Sequence, residues 1–376
     1  MNVARRAALA LLVPALAGCF GTSSSGPKPA ALAPLPQAQE MRVLWSASVG
    51  SAGEFTFTPA LAGEAVYAAA RGGTVARLDA ADGRERWRVS VAARLSGGVG
   101  ADADTVAVAT DDGAVFALDA RTGKQRWRAR VSSEVLAAPR IAAGLVLVKS
   151  ADSRIQALDA ADGKRRWAYQ RPPASLRLRA PQGMAAHEDL VYAGFSGGKL
   201  VALALEGGAL RWEATVSDPK GATELERVTD VVGDPVVVGR EVCAAAFQGR
   251  VACFDAQNGN LVWARDISSV SGVGADARYA FVADERGAVH ALDRTNGRSL
   301  WKQDRLAHRQ LSRPLPLGEQ IAVGDLEGYV HLLARESGAF VARAATDGSP
   351  VRAAPLALAR GFLVQTQAGG LYALAP

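Results

Sequence analysis

The stretch Gly-Thr-Val-Ala-Arg-Leu-Asp-Ala-Ala-Asp-Gly-Arg-Glu-Arg-Trp occupies residues 73 to 87, and copies of it return about every forty residues up to the C-terminus. Its fixed points are Leu78-Asp79 and, eight residues after the Asp, Trp87. Close copies place these points at Leu118-Asp119 with Trp127, Leu158-Asp159 with Trp167, Phe254-Asp255 with Trp263, and Leu292-Asp293 with Trp301. Two degraded copies run from Leu203 through Gly208 to Trp212, and from Leu333 through Gly338 to Ala342, where the Trp is lost. A sustained period of this length predicts a repeat architecture.

An eighth copy is divided between the two ends of the chain. Gly370–Leu374 supplies its first half and Val43–Trp45 its second half. All seven Trp residues then share one repeated position: Trp45, Trp87, Trp127, Trp167, Trp212, Trp263 and Trp301. Eight units of roughly 42 residues match the size of propeller blades. The sequence therefore predicts an all-β, eight-bladed propeller over residues 41–376, closed by pairing of its N- and C-terminal strands.

Each repeat is typical of the outer hairpin of a four-stranded antiparallel blade. Residues 74–78 alternate with period two, as a strand with one packed face requires. Asp79 can accept hydrogen bonds from backbone N–H groups two residues on, and Gly83 can adopt the positive φ of a bulged hairpin. The Trp is expected to wedge between neighbouring blades, with its indole N–H requiring a partner. Phosphate binding by the Asp-x-x-x-Gly turn is disfavoured, because no helix pattern follows the glycine.

Composition and charge narrow the function classes. The 376 residues are 49% hydrophobic and 21% charged, with 39 Gly, which is typical of a globular, turn-rich protein. The net charge is +6, but no cluster of Lys and Arg with interleaved aromatic residues occurs. We therefore expect no nucleic-acid partner.

The N-terminus has the organisation of a targeting segment. Residues 1–18 combine basic Arg5 and Arg6 with a short apolar run, and they end in Leu-Ala-Gly before Cys19. This ending resembles a bacterial lipobox, which implies that Cys19 is acylated and becomes the mature N-terminus. Phe20 in the next position implies sorting to the outer membrane. An ordinary secretory signal with a chance Cys is the alternative. Residues 19–40 are predicted to be the acylated Cys and a flexible tether, without a pattern that could bury a face.

Two intervals between repeats are longer than the others. The first long loop, Gln170–Gly183, and the second long loop, Ser217–Asp234, interrupt consecutive blades. Long loops on a rigid scaffold often carry function. Loops of neighbouring blades lie side by side, so these two can form one patch of apolar and charged groups. The alternative is that they are merely tolerated surface insertions.

Signals for catalysis or metal binding are scarce. His187, His290, His308 and His331 show no ligand spacing, and no nucleophile elbow or nucleotide loop is present. His290 and His331 share one blade position, which indicates packing or a lining role before chemistry. Cys243 and Cys253 lie on the two strands of one predicted hairpin, and the sequence leaves open whether they are bridged or reduced. We expect no metal, no cofactor and no catalytic residues.

The repeat resembles the Trp-docking motif of pyrroloquinoline-quinone-dehydrogenase propellers. The whole mature chain further resembles the BamB lipoproteins of the outer-membrane β-barrel assembly machinery. That likeness lies in the lipobox, tether and eight repeats, and in the segments 175–179 (Ser-Leu-Arg-Leu-Arg), 222–231 (Ala-Thr-Glu-Leu-Glu-Arg-Val-Thr-Asp-Val), 306–309 (Leu-Ala-His-Arg) and 323–331 (Val-Gly-Asp-Leu-Glu-Gly-Tyr-Val-His).

The resemblance implies a non-enzymatic scaffold, anchored by lipid at the periplasmic face of the outer membrane, which assists outer-membrane protein folding and insertion. Its implied partner is the POTRA region of BamA, and the family's binding positions fall on Leu176, Leu178, Arg179 and Asp230. Contact with nascent barrel proteins is left open. The family can carry a second acid where this chain has Val232, so Asp234 or no group fills that role.

Two other classes remain. A quinone-dependent dehydrogenase needs cofactor-stacking aromatics, calcium-ligating acids and commonly an adjacent Cys-Cys pair, and this chain lacks the Cys-Cys pair. Another periplasmic binding propeller is the third possibility.

Overall fold

The computed structural model describes residues 27–35 and 39–376, so the predicted signal segment and Cys19 lie outside the described residues. The described residues form 32 strands and no helix. In chain order the strands are β1 (Arg42–Ser48), β2 (Ala60–Ala62), β3 (Ala65–Ala69), β4 (Thr74–Asp79), β5 (Glu85–Ser90), β6 (Leu95–Ala101), β7 (Thr105–Thr110), β8 (Ala114–Asp119), β9 (Gln125–Arg130), β10 (Arg140–Ala142), β11 (Leu145–Ser150), β12 (Arg154–Asp159), β13 (Arg165–Gln170), β14 (Met184–His187), β15 (Leu190–Phe195), β16 (Lys199–Ala204), β17 (Leu210–Thr215), β18 (Val231–Val238), β19 (Glu241–Ala246), β20 (Val251–Asp255), β21 (Leu261–Arg265), β22 (Val273–Ala275), β23 (Tyr279–Ala283), β24 (Val289–Asp293), β25 (Ser299–Gln303), β26 (Leu315–Leu317), β27 (Gln320–Gly324), β28 (Tyr329–Ala334), β29 (Phe340–Ala345), β30 (Leu356–Ala357), β31 (Phe362–Gln365) and β32 (Gly370–Ala375).

The strands form eight four-stranded antiparallel sheets, which confirms the predicted eight-bladed propeller. Blade 1 is β2–β5, and each following set of four strands forms the next blade, up to blade 7 (β26–β29). Blade 8 has the order β1-β32-β31-β30, with Trp45 opposite Ala373, so the two chain ends close the ring as the split repeat predicts. Because consecutive strands alternate in direction, the connections between blades all lie at one end of the ring. We call this end the loop face, and the opposite end, which carries the outer-hairpin turns, the turn face.

The repeated Trp joins each blade to the next. Every indole N–H donates to a backbone carbonyl in the outer-hairpin turn of the following blade, over 2.5 to 3.1 Å. The pairs are Trp45–Ala80, Trp87–Ala120, Trp127–Ala160, Trp167–Leu205, Trp212–Ala256, Trp263–Arg294 and Trp301–Arg335. The hydrogen-bond acceptor that each indole N–H requires is thus a turn carbonyl.

The turn position requires glycine for a second reason besides its backbone conformation. Gly83 adopts φ +70°, as expected, and the ring of Trp45 lies directly against it. A Cβ added at any of the seven equivalent glycines would lie 2.4 to 2.8 Å from the Trp ring of the preceding blade. The Asp-x-x-x-Gly turn and the Trp are therefore the two halves of one contact.

The missing Trp at Ala342 follows from the same contact. Blade 7 precedes blade 8, whose outer strand β1 and third strand β32 come from opposite chain ends and have no hairpin turn between them. Without that turn, blade 8 has no turn glycine against which an indole at position 342 could pack and no turn carbonyl to accept its N–H. Ala342 instead packs, fully buried, in the core of blades 7 and 8.

Part of the predicted tether lies against the ring. The N–H of Ala30 donates to Ala307 O over 2.9 Å, and Arg309 and Arg343 donate to the carbonyls of Ala30 and Ala33. The half-buried Leu32 side chain packs between blades 6 and 7. We call residues 27–35 the strap. The sequence of the strap has no periodic apolar pattern, and the strap is held instead by the packing of Leu32, by the Ala30–Ala307 backbone bond and by the two arginine side chains.

The blades contain a disulfide and two histidines that each contact a carboxylate. Cys243 and Cys253 lie directly opposite each other on β19 and β20, fully buried, and form a disulfide. His290 and His331 each place Nε2 2.8 Å from a carboxylate oxygen six residues earlier, Asp284 and Asp325 respectively. His331 is fully buried and His290 is half-buried, so their shared position is a packing position, one of the two roles that the sequence indicates.

Candidate functional site

The two long loops leave the ring next to each other on the loop face. The first connects β13 to β14, and the second connects β17 to β18 and ends within β18. Their bases are joined by hydrogen bonds from Gly183 N–H to Gly233 O (3.0 Å) and from Gly233 N–H to Pro181 O (3.1 Å). The prediction that these loops lie side by side is confirmed. We call Leu176, Leu178, Arg179 and Asp230, the residues that the resemblance singles out, the loop patch.

The two leucines of the loop patch differ in exposure. Leu176 is 48% exposed at the tip of the first long loop. Leu178 is half-buried and lines a small cavity of about 30 Å³ beneath the loop, together with Leu136 and Lys149. Leu176 can therefore contact a partner directly, whereas Leu178 also anchors the loop to the ring.

Arg179 is held at the surface by acids from distant loops. Its guanidinium lies 3.3 Å from Glu134 and 3.8 Å from Glu54, and it stacks over the Phe55 ring at 5.1 Å. Glu54 precedes blade 1, whereas the first long loop joins blades 3 and 4. The loop must therefore reach inward across the mouth of the ring. Arg177 approaches the same Glu134 carboxylate at 3.7 Å, so one acid orients both arginines.

Asp230 lies beneath the surface. Its side chain is fully buried, and Oδ2 accepts the N–H of Leu178 over 2.6 Å. The family resemblance implies that this carboxylate contacts the partner, but in this structure the first long loop covers it. The physical reason is that the backbone of Leu178 needs a hydrogen-bond acceptor where the loop folds back. Asp230 therefore positions Leu178 and is not itself exposed.

This chain has Val232 at the position where the family can carry a second acid, and Asp234 is the nearby acid that the sequence leaves open for that role. Val232 is fully buried, at 1% exposure. Asp234 lies on the innermost strand of blade 5, 3.5 Å from the guanidinium of Arg140 in blade 3. Asp234 is thus paired with Arg140, and its side chain is 40% exposed.

Lys149 lies under the first long loop and was not anticipated from the sequence. Its Nζ donates to Gln182 Oε1 over 2.7 Å and sits 4.6 Å from the centroid of the Phe195 ring. Burial lowers the pKa of Lys149 to about 7, although the charge of Asp230 opposes that shift. No sequence signal could have identified Lys149, because its environment is built from two blades and a loop.

The described residues also show what lies away from the loop patch. Among them, no group of three or more His, Cys, Asp and Glu could hold a metal ion. A larger cleft of about 680 Å³ opens on the turn face, lined by Asp102, Arg166 and Trp167 among others. None of the four loop-patch residues lines it. No helix within the described ranges is long and apolar enough to cross a membrane.

Comparison with known proteins identifies relatives over almost the full chain. The family described as "Outer membrane protein assembly factor BamB" matches residues 37–89 and 71–303. The protein of that name from Bordetella pertussis is 45% identical over 360 residues, which cover 95% of this chain and 93% of the relative. Its namesake from Burkholderia pseudomallei is 40% identical over 381 residues, covering 100% of both chains.

A solved structure agrees with these sequence matches. The crystal structure of BamB from Moraxella catarrhalis superposes with a TM-score of 0.83 at 27% identity, covering 90% of this chain and 100% of that one. The family match, the full-length relatives and the shared propeller all agree. This chain belongs to the family of the outer membrane protein assembly factor BamB.

Proposed function

We propose that this chain is a non-enzymatic scaffold of the outer-membrane β-barrel assembly complex. In this proposal it is anchored by lipid at the periplasmic face of the outer membrane. It binds the POTRA region of BamA and so assists folding and insertion of outer-membrane proteins. The observation that carries the proposal is the loop patch, where exposed Leu176 and Arg179 lie on a loop fixed from below by Asp230. The choice of BamA as the partner rests on what the resemblance to the BamB family implies, and membership of that family supports it.

The chemistry of the loop patch suits a protein partner. Interfaces derive most of their free energy from a few apolar and Arg side chains, while surrounding polar groups fix the register. Leu176 offers the apolar contact. Arg179 offers a guanidinium whose present contacts with Glu54 and Glu134 are partly exposed, so a partner carboxylate can compete for it. The ties beneath the loop limit the entropy lost on binding.

Binding of the purified periplasmic region of BamA to the full-length chain tests this proposal. Leu176→Ala and Arg179→Ala should each weaken binding about thirtyfold, which corresponds to ~2 kcal/mol for an interface hot spot. Leu210→Ala is the matched control, because Leu210 is equally exposed at 48% but begins β17 on the turn face. Wild-type affinity in both loop-patch variants, at unchanged melting temperature, would place the interface elsewhere.

Asp230 requires a test suited to a positioning residue. Asp230→Ala removes the acceptor for the Leu178 N–H, so binding should weaken and amide exchange at Leu178 should accelerate together. Asp230→Asn keeps an oxygen in that place and should retain more of both properties. Equal loss of binding in the two variants, with Leu178 still protected, would instead indicate that the charge contacts the partner.

The proposed anchor rests on Cys19, which lies outside the described residues. Only a thiol at that position accepts the lipid, and stable attachment needs more than one acyl chain. Cys19→Ser should therefore leave the chain in the soluble periplasmic fraction of cells depleted of BamA. Its recovery in the outer-membrane fraction of such cells would refute the anchor.

A further inference from the structure

The second long loop contains a single helical turn that is closed by its own side chains. Glu226 Oε2 accepts the N–H groups of Ala222 (2.8 Å) and Thr223 (3.0 Å), and Thr223 Oγ1 accepts the Glu226 N–H (3.3 Å). This reciprocal arrangement is a capping box, which satisfies the free donors at the start of a helical turn. These backbone bonds also lower the pKa of the Glu226 carboxyl, so it stays ionised at neutral pH.

The far end of the turn is tied as well. Arg227 Nε donates to Gly221 O over 3.0 Å and closes the loop across its base. In the amide orientation that gives both its polar atoms partners, Gln248 donates to the carbonyls of Leu225, Glu226 and Val228. The chain then enters the core at Val228, and two residues later Asp230 holds Leu178. The turn is therefore connected to the loop patch through a short, buried stretch of backbone.

This rigid turn presents Leu225 to solvent. Leu225 is 71% exposed, the largest exposed fraction among the large hydrophobic side chains of the described residues. An apolar side chain held in water on a fixed backbone gains the full benefit of burial when a partner covers it, because little conformational entropy is lost. Scattered exposed leucines are ordinary. This leucine differs because three sets of side-chain hydrogen bonds, made by the capping box, Arg227 and Gln248, fix the turn that carries it.

We infer that Leu225 is a preorganised apolar anchor that inserts into a pocket on the POTRA region of BamA, beside the contacts made by Leu176 and Arg179. This inference rests on the proposed function and deepens it. An apolar pocket would be required on the receiving surface, with a polar rim facing Glu224 and Arg227, which are paired at 3.6 Å on the exposed side of the turn. The capping box contributes by keeping Leu225 in its binding position before the partner arrives.

The test compares Leu225 of the second long loop with an exposed leucine elsewhere in blade 5. Leu225→Ser in the full-length chain should weaken binding of the BamA periplasmic region at least tenfold, the effect of leaving a buried leucine contact unmade. Leu261→Ser is the matched control, because Leu261 is 56% exposed but begins β21 on the turn face. It should bind within twofold of the parent. Both should melt as the parent does.

A second variant separates the anchor from its support. Glu226→Ala leaves Leu225 in place but removes the capping box, so the amides of Ala222 and Thr223 should exchange faster. Affinity should fall severalfold, less than for Leu225→Ser, because the turn must now be ordered on binding. Faster exchange with unchanged affinity would overturn the role given to the capping box.

The outcomes distinguish this inference from the proposed function. Parent-like binding by Leu225→Ser, while Leu176→Ala binds weakly, overturns the anchor and leaves the function standing. Failure of the parent chain to bind the BamA region overturns both. If Leu225→Ser abolishes self-association of the chain and leaves BamA binding intact, the turn contacts a second copy, and the inference is wrong.

Discussion

Gly163 and Gly144 in blade 3 show two different reasons why a position requires glycine: backbone conformation and close packing. Their φ angles are nearly equal, +74° and +73°, but an added Cβ would meet the Trp127 ring at 2.7 Å only at Gly163. At Gly144 no atom lies within 4 Å. Gly144→Ala should therefore cost only the left-handed backbone conformation, about 1 kcal/mol, whereas Gly163→Ala should cost about 3 kcal/mol through overpacking as well.

Denaturant unfolding of the two variants measures this difference. The destabilisation caused by Gly163→Ala should be smaller in a Trp127→Leu background, because the smaller side chain leaves room for the added Cβ. Equal destabilisation by Gly144→Ala and Gly163→Ala would mean that the Trp ring adapts at no cost, and the interpretation of the turn and the Trp as one contact would fail.

Lys149 predicts a pH dependence at the residue scale. Its folded pKa, about 7, lies below the value of about 10.4 expected in the unfolded chain, so between these values the unfolded state binds more protons. The cost of burying the charge is fully present below pH 7 and is relieved as the pH rises toward 10.4. Relative to Lys149→Met, the parent should gain about 1 to 2 kcal/mol of stability between pH 7 and 8.5.

The control for this experiment is a lysine that stays charged. Asp162 raises the pKa of Lys164, so Lys164→Met should differ from the parent by a constant amount over the same pH range. Parallel stability curves for the parent and Lys149→Met would show that the buried ammonium keeps its proton, and the pH dependence would then be absent.

At the scale of elements, the strap makes a prediction about blades 6 and 7. The half-buried Leu32 side chain packs against the core of blades 6 and 7, and the Ala30 N–H donates to Ala307 O. Leu32→Asp should release the strap, so exchange at Ala30 should rise by about tenfold or more, while the overall melting temperature changes by only a few degrees. Hydrogen exchange measured by mass spectrometry or NMR provides both observations.

Ala31→Asp is the control, because Ala31 is exposed within the same strap. It introduces the same charge and should leave the Ala30 amide protected. Unchanged protection in Leu32→Asp would mean that the arginine bonds from Arg309 and Arg343 hold the strap without the leucine.

At the scale of the whole molecule, the ring depends on its last strand. β32 lies between β1 and β31, and Leu371, Ala373 and Leu374 are fully buried in two inter-blade cores. Deleting residues 370–376 leaves β1 without a partner and opens the ring. We expect a loss of more than about 5 kcal/mol, comparable with the whole stability of a domain, seen as a lower melting temperature by calorimetry.

Removal of residues 1–26 is the comparison, because none of those residues belongs to the described ring or strap. That chain should melt as the parent does. A C-terminally truncated chain that melted within a degree of the parent would show that seven blades and an open edge suffice, and closure by the chain ends would not be what stabilises the ring.

The sequence by itself determined the repeat and therefore the ring. The Trp slots, the Asp-x-x-x-Gly turns and the split eighth copy are local patterns, and each blade needs its neighbours to bury its faces. Blade number and closure follow from counting these patterns. The positions of the two long loops were predictable for the same reason, because an insertion into a regular repeat is visible as a longer interval.

Tertiary structure alone decided how the loop patch is built. Asp230 was identified, but its burial beneath Leu178 depends on how two loops from different connections fold against each other. The acids that orient Arg179 come from residues 54 and 134, far away in sequence. The disulfide required the register of β19 and β20, and the strap required a groove between two blades. These features rest on contacts between distant segments without a repeating pattern, so only the folded ring brings their partners together.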